Sequence, residues 1–236
     1  MNDAKPALLF DVFGTVVDWR SSIRRELESH FQPRGVHRDW DAFALDWRAR
    51  YQPSMEAVRS GRRTYVDLDH LHRENLIDVL KVQGITGLDE AEIAHVAGMW
   101  HRLAPWPDSV PGMARLRQGH ILASLSNGNV ALMIDLARHG GLHWDAILGA
   151  DFARNYKPDA SVYLSAVQAV GRRPEDCMMV AAHNDDLRAA QALGLKTAFV
   201  LRASEYGPTQ SRDLAPEGPW DYVAQDMEDL AAQLGL

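Results

Sequence analysis

A single cysteine, Cys177, stands in the 236 residues, so neither an intrachain disulfide nor a cysteine-based zinc cluster can form. The thiol reads as a small apolar packing residue. Positive charge is in deficit: 25 Lys and Arg against 32 Asp and Glu give a net charge of -7. No basic footprint for nucleic acid or an anionic membrane is left. No stretch is apolar over a membrane-spanning length, and Met1–Pro6 lacks a charged segment running into an apolar one, so a cytoplasmic location is expected. Internal repeats and low-complexity tracts are missing as well. The histidines are scattered. His70 and His72, two apart, point to different sides of a helix and read as solvated or packing residues rather than a metal pair. What the chain has in quantity is apolar content, 46% of its residues, enough for one large packed domain or two modest ones.

The apolar run Ala7-Leu8-Leu9-Phe10 reads as a strand buried on both faces, and it ends on Asp11, followed by Val12-Phe13-Gly14-Thr15. Beyond it, from Trp19 to about Trp100, periodicity is helical: Ile23, Leu27 and Phe31 fit one face, and Leu68, Leu71, Leu76, Val79 and Leu80 another. Gly84–Gly87 and Pro105-Trp106-Pro107-Asp108 are breaks. After the second break strands and helices alternate. Strands are expected at Ile121–Leu125, Ala146–Gly149, Met178–Ala181 and Thr197–Val200; helices at Val130–Arg138, Asp159–Val170 and Asp186–Leu193. The pattern predicts an α/β fold, a three-layer Rossmann-like core with a parallel sheet. A helical cap, residues 18–100, is inserted after the first strand, and the core takes residues 1–17 and 101–236.

In a parallel sheet the polar strand endings converge at one edge, where α/β folds bind ligands. The first ending supplies Asp11 and Thr15, and a carboxylate so placed can act as a nucleophile that forms an ester. An Asp that merely starts a turn is the competing reading. The second ending, Ser126-Asn127-Gly128-Asn129, offers hydroxyl, amide and N–H groups for an anion, or a helix cap. The third is Asn155-Tyr156-Lys157-Pro158-Asp159, with Lys157 just ahead of a helix; a surface lysine is the alternative. The fourth is Ala182-His183-Asn184-Asp185-Asp186, in which Asp185 or Asp186 alone would serve as a first-turn helix acid.

Taken together, the four endings resemble the haloacid dehalogenase superfamily, over nearly the whole chain. Phosphatases of that superfamily carry a second Asp two residues after the nucleophile and a pair of acidic residues four apart in the final loop. Phe13 and Ala182 stand at those places, and both departures weaken a magnesium site. The closer resemblance is to the L-2-haloacid dehalogenase branch, which shares the aromatic residue at Phe13, Ser126-Asn127-Gly128, and Lys157-Pro158-Asp159 with Tyr163 following. Asp46-Trp47-Arg48 is similar to its Trp-Arg element, so the resemblance assigns Arg48 to the substrate carboxylate and leaving halide, with Arg50 and Arg20 as rival arginines. The branch's final loop has Ser and Asn where this chain has Ala181 and His183.

The resemblance implies hydrolysis of short 2-haloalkanoic acids to 2-hydroxy acids, haloacetates such as fluoroacetate included, with no cofactor and no metal. Asp11 attacks C2 and forms an ester, Lys157 and Thr15 hold the nucleophile, and Ser126, Asn127 and Arg48 bind the carboxylate beside Phe13 and Tyr163. Asp186 is then the base for the hydrolytic water. His183, whose ordinary pKa lies near neutrality, is expected to exchange a proton with that water, or else to be a structural histidine bonded to backbone. A homodimer is the expected assembly, as the branch commonly forms dimers. A magnesium-dependent phosphohydrolase and a non-catalytic protein retaining the fold are the two alternatives.

Overall fold

The computed structural model describes residues 5–236, so the first four residues of the expected core segment 1–17, and with them Met1–Ala4 of the amino-terminal reading, lie outside the described residues. Strand β1 (Ala7–Phe10) is followed by the five helices of the inserted segment: α1 (Trp19–Phe31), α2 (Trp40–Ala49), α3 (Tyr51–Arg59), α4 (Leu68–Val82) and α5 (Glu90–Ala97). Four of them open on an aspartate, Asp18, Asp39, Asp67 and Asp89, whose carboxylate accepts a backbone N–H of the first turn. The apolar positions the sequence singles out on α1 and α4 are buried.

After α6 (Ser109–Gly119) the chain alternates β2 (Ile121–Leu125), α7 (Val130–Gly140), β3 (Ala146–Leu148), α8 (Ala160–Ala169), β4 (Cys177–Ala181), α9 (Asn184–Ala192), β5 (Lys196–Val200), β6 (Tyr222–Ala224) and α10 (Met227–Gln233). The six strands form one sheet in the order β3-β2-β1-β4-β5-β6, and every pairing is parallel. Its two faces follow the period-two alternation of side chains. Leu8, Phe10, Val180 and Val200 join a core shared with α6, α7, α10 and the helical segment. Leu9, Leu125, Met179 and Phe199 join a second core under α8 and α9. The helical segment thus has no separate core; Trp19, Trp47 and Trp100 pack in one cluster with Phe10 and Phe13.

Three elements differ from the sequence expectation. Helix α9 begins at Asn184 rather than Asp186, with His183 as its N-cap residue. Strand β6 escapes sequence reading because it has three residues and leaves Val223 exposed at the sheet edge. Helix α6 is absent from the sequence expectation, which has only the break at Pro105–Asp108 ahead of it; its Pro111 lies in the first turn, where no donor is lost. Gly112 is required there, since a Cβ would fall 2.5 Å from that of Met227. Among the described residues no helix is long and apolar enough to cross a membrane.

Candidate active site

The crevice lies where the strand order reverses. Strand β1 is central, with β2 on one side and β4, reached by the crossover from β3, on the other, and their carboxyl ends face one opening. Asp11 continues the β1 ladder by one bond, its N–H donating to Val180 O at 3.0 Å, so the main chain fixes where the carboxylate stands. Thr15 Oγ1 donates to Asp11 Oδ2 at 2.7 Å and itself accepts from Ala182 N at 2.9 Å, which leaves the hydroxyl one direction to point. Lys157 is not a surface lysine. It is 6% exposed and its ammonium donates to Asp11 Oδ1 at 2.8 Å and to Asp186 Oδ2 at 2.5 Å. Its backbone is fixed from both sides: Lys157 N donates to Asn127 Oδ1, and Arg59 reaches across from α3 to Lys157 O. Tyr163, in the first turns of α8, donates its hydroxyl to Asp186 Oδ1 at 2.5 Å, so it is bound to the site's acid rather than being an ordinary core tyrosine.

His183 has a different neighbour from the one expected. Its Nδ1 lies 3.2 Å from Asp11 Oδ2 and its Nε2 lies 2.9 Å from Glu205 Oε2. The ring therefore bridges two carboxylates and is not bonded to Asp186, three residues on, because α9 begins right after His183 and carries Asp186 around its first turn toward Lys157. Glu205, in the loop after β5, is the residue that sequence reading missed. It is 1% exposed and its Oε1 accepts from Trp19 Nε1 at 2.8 Å. A fifth strand ending with an acidic residue was there to be read, but nothing in its spacing marks it apart from an ordinary loop glutamate.

Five ionisable groups thus alternate in sign along one buried line, Glu205, His183, Asp11, Lys157, Asp186. Burial alone would raise the Asp11 carboxyl, but the Lys157 charge and the bonded, charged His183 outweigh it and hold Asp11 far below the usual carboxylate range. Burial works against the His183 cation, and the Glu205 charge together with bonds to Asp11 and Glu205 overcomes it and raises the ring well above its ordinary value. Lys157 is likewise held above its usual value: burial opposes the charge, and Asp11 and Asp186 more than restore it. Asp186 moves the other way from Asp11. Burial, with the Asp11 charge added, raises it against the pull of Lys157. Two carboxylates sharing one lysine are pushed apart in basicity, which is the arrangement that separates a nucleophile from a base.

A cavity of about 550 Å³ opens onto this line, and Asp11, Phe13, Arg48, Asn127, Lys157 and His183 are in its wall. Arg48, on α2, projects over the ring of Tyr51 at 4.0 Å from its centroid and near those of Trp19 and Phe13. Its Nη1 is buried and makes no hydrogen bond within the protein. The rival arginines are engaged elsewhere: Arg50 pairs with Asp46 and Arg20 with Asp41. Ser126 is fully buried and its hydroxyl accepts Gly128 N at 3.0 Å, closing the turn after β2. It is not in the cavity wall, because that bond directs the hydroxyl along its own turn. Neither Ser126 nor Asn127 caps α7; Asn129 holds the N-cap position. Of the histidine pair, His70 is exposed beside Asp67, and His72 is buried and stacked on Trp100.

A divalent cation, as phosphatases of this fold use, does not fit this donor set. Phe13 presents a ring edge-on to Trp100 where a second carboxylate would be needed. Ala182 offers no side-chain ligand, and the space between Asp11 and Asp186 is bridged by an ammonium group.

An aspartate after the first strand, a buried lysine after the third and an acid after the fourth line this crevice. A family model for haloacid dehalogenase-like hydrolases matches residues 5–194. The chain is 26% identical to (S)-2-haloacid dehalogenase 4A of Burkholderia cepacia, with 98% of this chain and all of the relative covered. It superposes on the crystal structure of a defluorinating L-2-haloacid dehalogenase with a TM-score of 0.96 at 51% identity, covering 98% of this chain and 96% of that one. The L-2-haloacid dehalogenase of Xanthobacter autotrophicus with chloropropionic acid covalently bound gives 0.82 at 25% identity, with 98% of each chain covered. With the match running from β1 through α9 and so through four of the strand endings that build the crevice, the chain belongs to the haloacid dehalogenase-like hydrolases.

Proposed function

We propose that this protein hydrolyses the carbon–halogen bond of short 2-haloalkanoic acids, yielding 2-hydroxy acids through an ester on Asp11. The observation that carries this reading is the state of Asp11: a 6% exposed carboxylate, kept ionised by Lys157 and His183, at the wall of a cavity that also presents the unbonded Nη1 of Arg48. The substrate carboxylate is the natural acceptor for that guanidinium nitrogen and for Asn127 Nδ2, whose Oδ1 is already taken by Lys157 N. Among the relatives, one defluorinates and another has been seen with chloropropionic acid covalently bound, and both facts suit an ester route with small substrates.

In this scheme the two oxygens of Asp11 are not equivalent. Oδ2 accepts from Thr15 and has the His183 ring nitrogen Nδ1 3.2 Å away; Oδ1 accepts from Lys157 alone and keeps a lone pair free. Oδ1 attacks C2 in line, halide leaves toward Arg48, and C2 is inverted; prior alignment supplies much of the rate. Water then attacks Cγ of Asp11, not C2, with Asp186 as base. Phe13 and Ala182 disfavour the phosphohydrolase alternative, and the shared cytoplasmic solvent is where we place the reaction.

The test is halide release from fluoro-, chloro- and bromoacetate and both 2-chloropropionate enantiomers, with EDTA present throughout. We expect release that chelation leaves intact. Single turnover in oxygen-18 water should label Asp11 first and product only in later cycles. Label in the first-turnover product, or release that needs magnesium, would overturn the reading.

A further inference from the structure

Glu205 has no part in the scheme above, yet it is a 1% exposed carboxylate one hydrogen bond from the histidine that touches the nucleophile. Burying an acid costs several kcal/mol unless it is well paired, and its two oxygens are divided between two donors, Trp19 Nε1 on Oε1 and His183 Nε2 on Oε2. The backbone of the nucleophile loop is shaped to admit it: a Cβ on Gly14, at a φ of +88°, would lie 2.1 Å from Oε1. We propose that Glu205 is a positioning residue that holds His183 as an imidazolium with Nδ1–H aimed at Asp11 Oδ2, so that His183 and Thr15 form an oxyanion hole for hydrolysis of the Asp11 ester. This inference rests on the ester route of the preceding section.

The geometry supplies both donors to one atom. Thr15 Oγ1 lies 2.7 Å and His183 Nδ1 3.2 Å from Oδ2, and Thr15 must donate there because Ala182 N already fills its acceptor side. Once Oδ1 has become the ester oxygen, Oδ2 is the carbonyl oxygen. Water adds to Cγ, one of its protons passing to Asp186, and the carbonyl electron pair moves onto Oδ2 between the two donors. When that pair returns, the Cγ–Oδ1 bond breaks and Oδ1 leaves with the 2-hydroxy acid, taking a proton from Lys157 that Asp186 restores. Asp11 keeps the oxygen of the water and gives its remaining proton to solvent. Donors aimed at an oxygen that gains charge only in the transition state are worth far more to rate than to binding.

The ionisable surroundings of His183 are one-sided. Asp11 faces it from the end of β1 and Glu205 from the loop after β5; Asp213 of the same loop feels its charge and is itself paired with Arg212. Replacing Glu205 by Gln keeps the side-chain volume and one acceptor oxygen for Trp19, and replaces the charged acceptor on His183 Nε2 by an N–H donor, so the packing survives while the group that holds the ring protonated is lost. We expect Glu205→Gln to keep a full first-turnover burst of chloride from chloroacetate, at a rate within threefold of wild type. Steady-state release should fall about tenfold to a hundredfold, the Asp11 ester should accumulate in acid-quenched enzyme by mass spectrometry, and ester hydrolysis should weaken further above neutral pH, where wild type does not. A Glu205→Gln enzyme that turns over at the wild-type rate, or whose burst slows as much as its steady state, overturns the proposal. Should that variant not fold, the wild-type ring nitrogens of His183, identified by loss of their signals in His183→Asn, decide: both protonated at pH 8 supports it, and a neutral ring there overturns it. If wild-type Asp11 takes up no oxygen-18 at all, the ester route has failed, and with it the ground of this inference.

Discussion

His72 offers a measurement in which ionisation and packing can be separated. It lies 2% exposed on α4, its ring stacked on Trp100 at 4.2 Å and edge-on to Phe13, and neither ring nitrogen has a hydrogen-bond partner. Burial, with the Arg48 charge adding to it against the opposing pull of Asp69, lowers its pKa to about 3 from 6.5. The folded protein therefore refuses a proton that the unfolded chain accepts, and stability drains away as pH falls below 6.5 and on toward 3. Between pH 7 and pH 5 the unfolded-state protonation alone amounts to about 2 kcal/mol, using about 1.4 kcal/mol per pH unit. His72→Phe removes the proton site and keeps an aromatic ring against Trp100. Whatever it gains or loses by repacking is independent of pH, so the difference between wild type and variant should shift by about 2 kcal/mol in favour of the variant from pH 7 to pH 5. In urea titrations at the two pH values that shift appears directly. In thermal scans it is about 4–8 °C for a chain of this size. An unchanged difference between the two pH values would show that His72 does not stay neutral, and that the seam beneath the cavity is wetter than its packing indicates.

Arg48→Lys should lose at least tenfold more halide-release activity at limiting substrate than Arg50→Lys, since a planar fork can hold a carboxylate at two points and an ammonium cannot. Equal losses would show that the contact of Arg50 with Asp46, rather than the cavity position of Arg48, is what matters. Lys157→Met should abolish turnover and also cost about 3–5 kcal/mol in urea unfolding at pH 7, because Asp11 and Asp186 are left buried without their shared cation. Asp11→Asn removes the nucleophile at constant volume; we expect no halide burst and a near-native unfolding midpoint, and residual first-turnover halide would argue for direct attack by water.

The alternation of short apolar strands with helices was decisive for the core, because a strand buried on both faces has few other ways to read and because its period of two differs from that of a helix. The same physics brought Asp11, Lys157 and Asp186 to one sheet edge, while a turn aspartate, a surface lysine and a first-turn helix acid stayed open as readings until the resemblance to the haloacid dehalogenases assigned their roles. Arg48 was legible only as one of three arginines, since all sit on helices and nothing local distinguishes one that turns inward from those that pair with Asp46 and Asp41. Ser126 shows the opposite failure. Its type and position suit a ligand, but a hydroxyl spent on the N–H two residues on has no direction left for one.

What the sequence determined by itself is therefore five of the six strands, the helical segment between the first two of them, and the residue types that arrive at the sheet edge, because these depend on periodicity, caps and turns within a few residues. Which of those groups touch one another was decided only in three dimensions. His183 and Glu205 are 22 residues apart, and Glu205 reaches Trp19 across 186 residues, contacts that exist because β4, β5 and α1 happen to converge around the nucleophile. Such a meeting leaves no local trace in the chain, since it is set by the register and twist of the assembled sheet, and the protonation state of His183 is set in turn by that meeting.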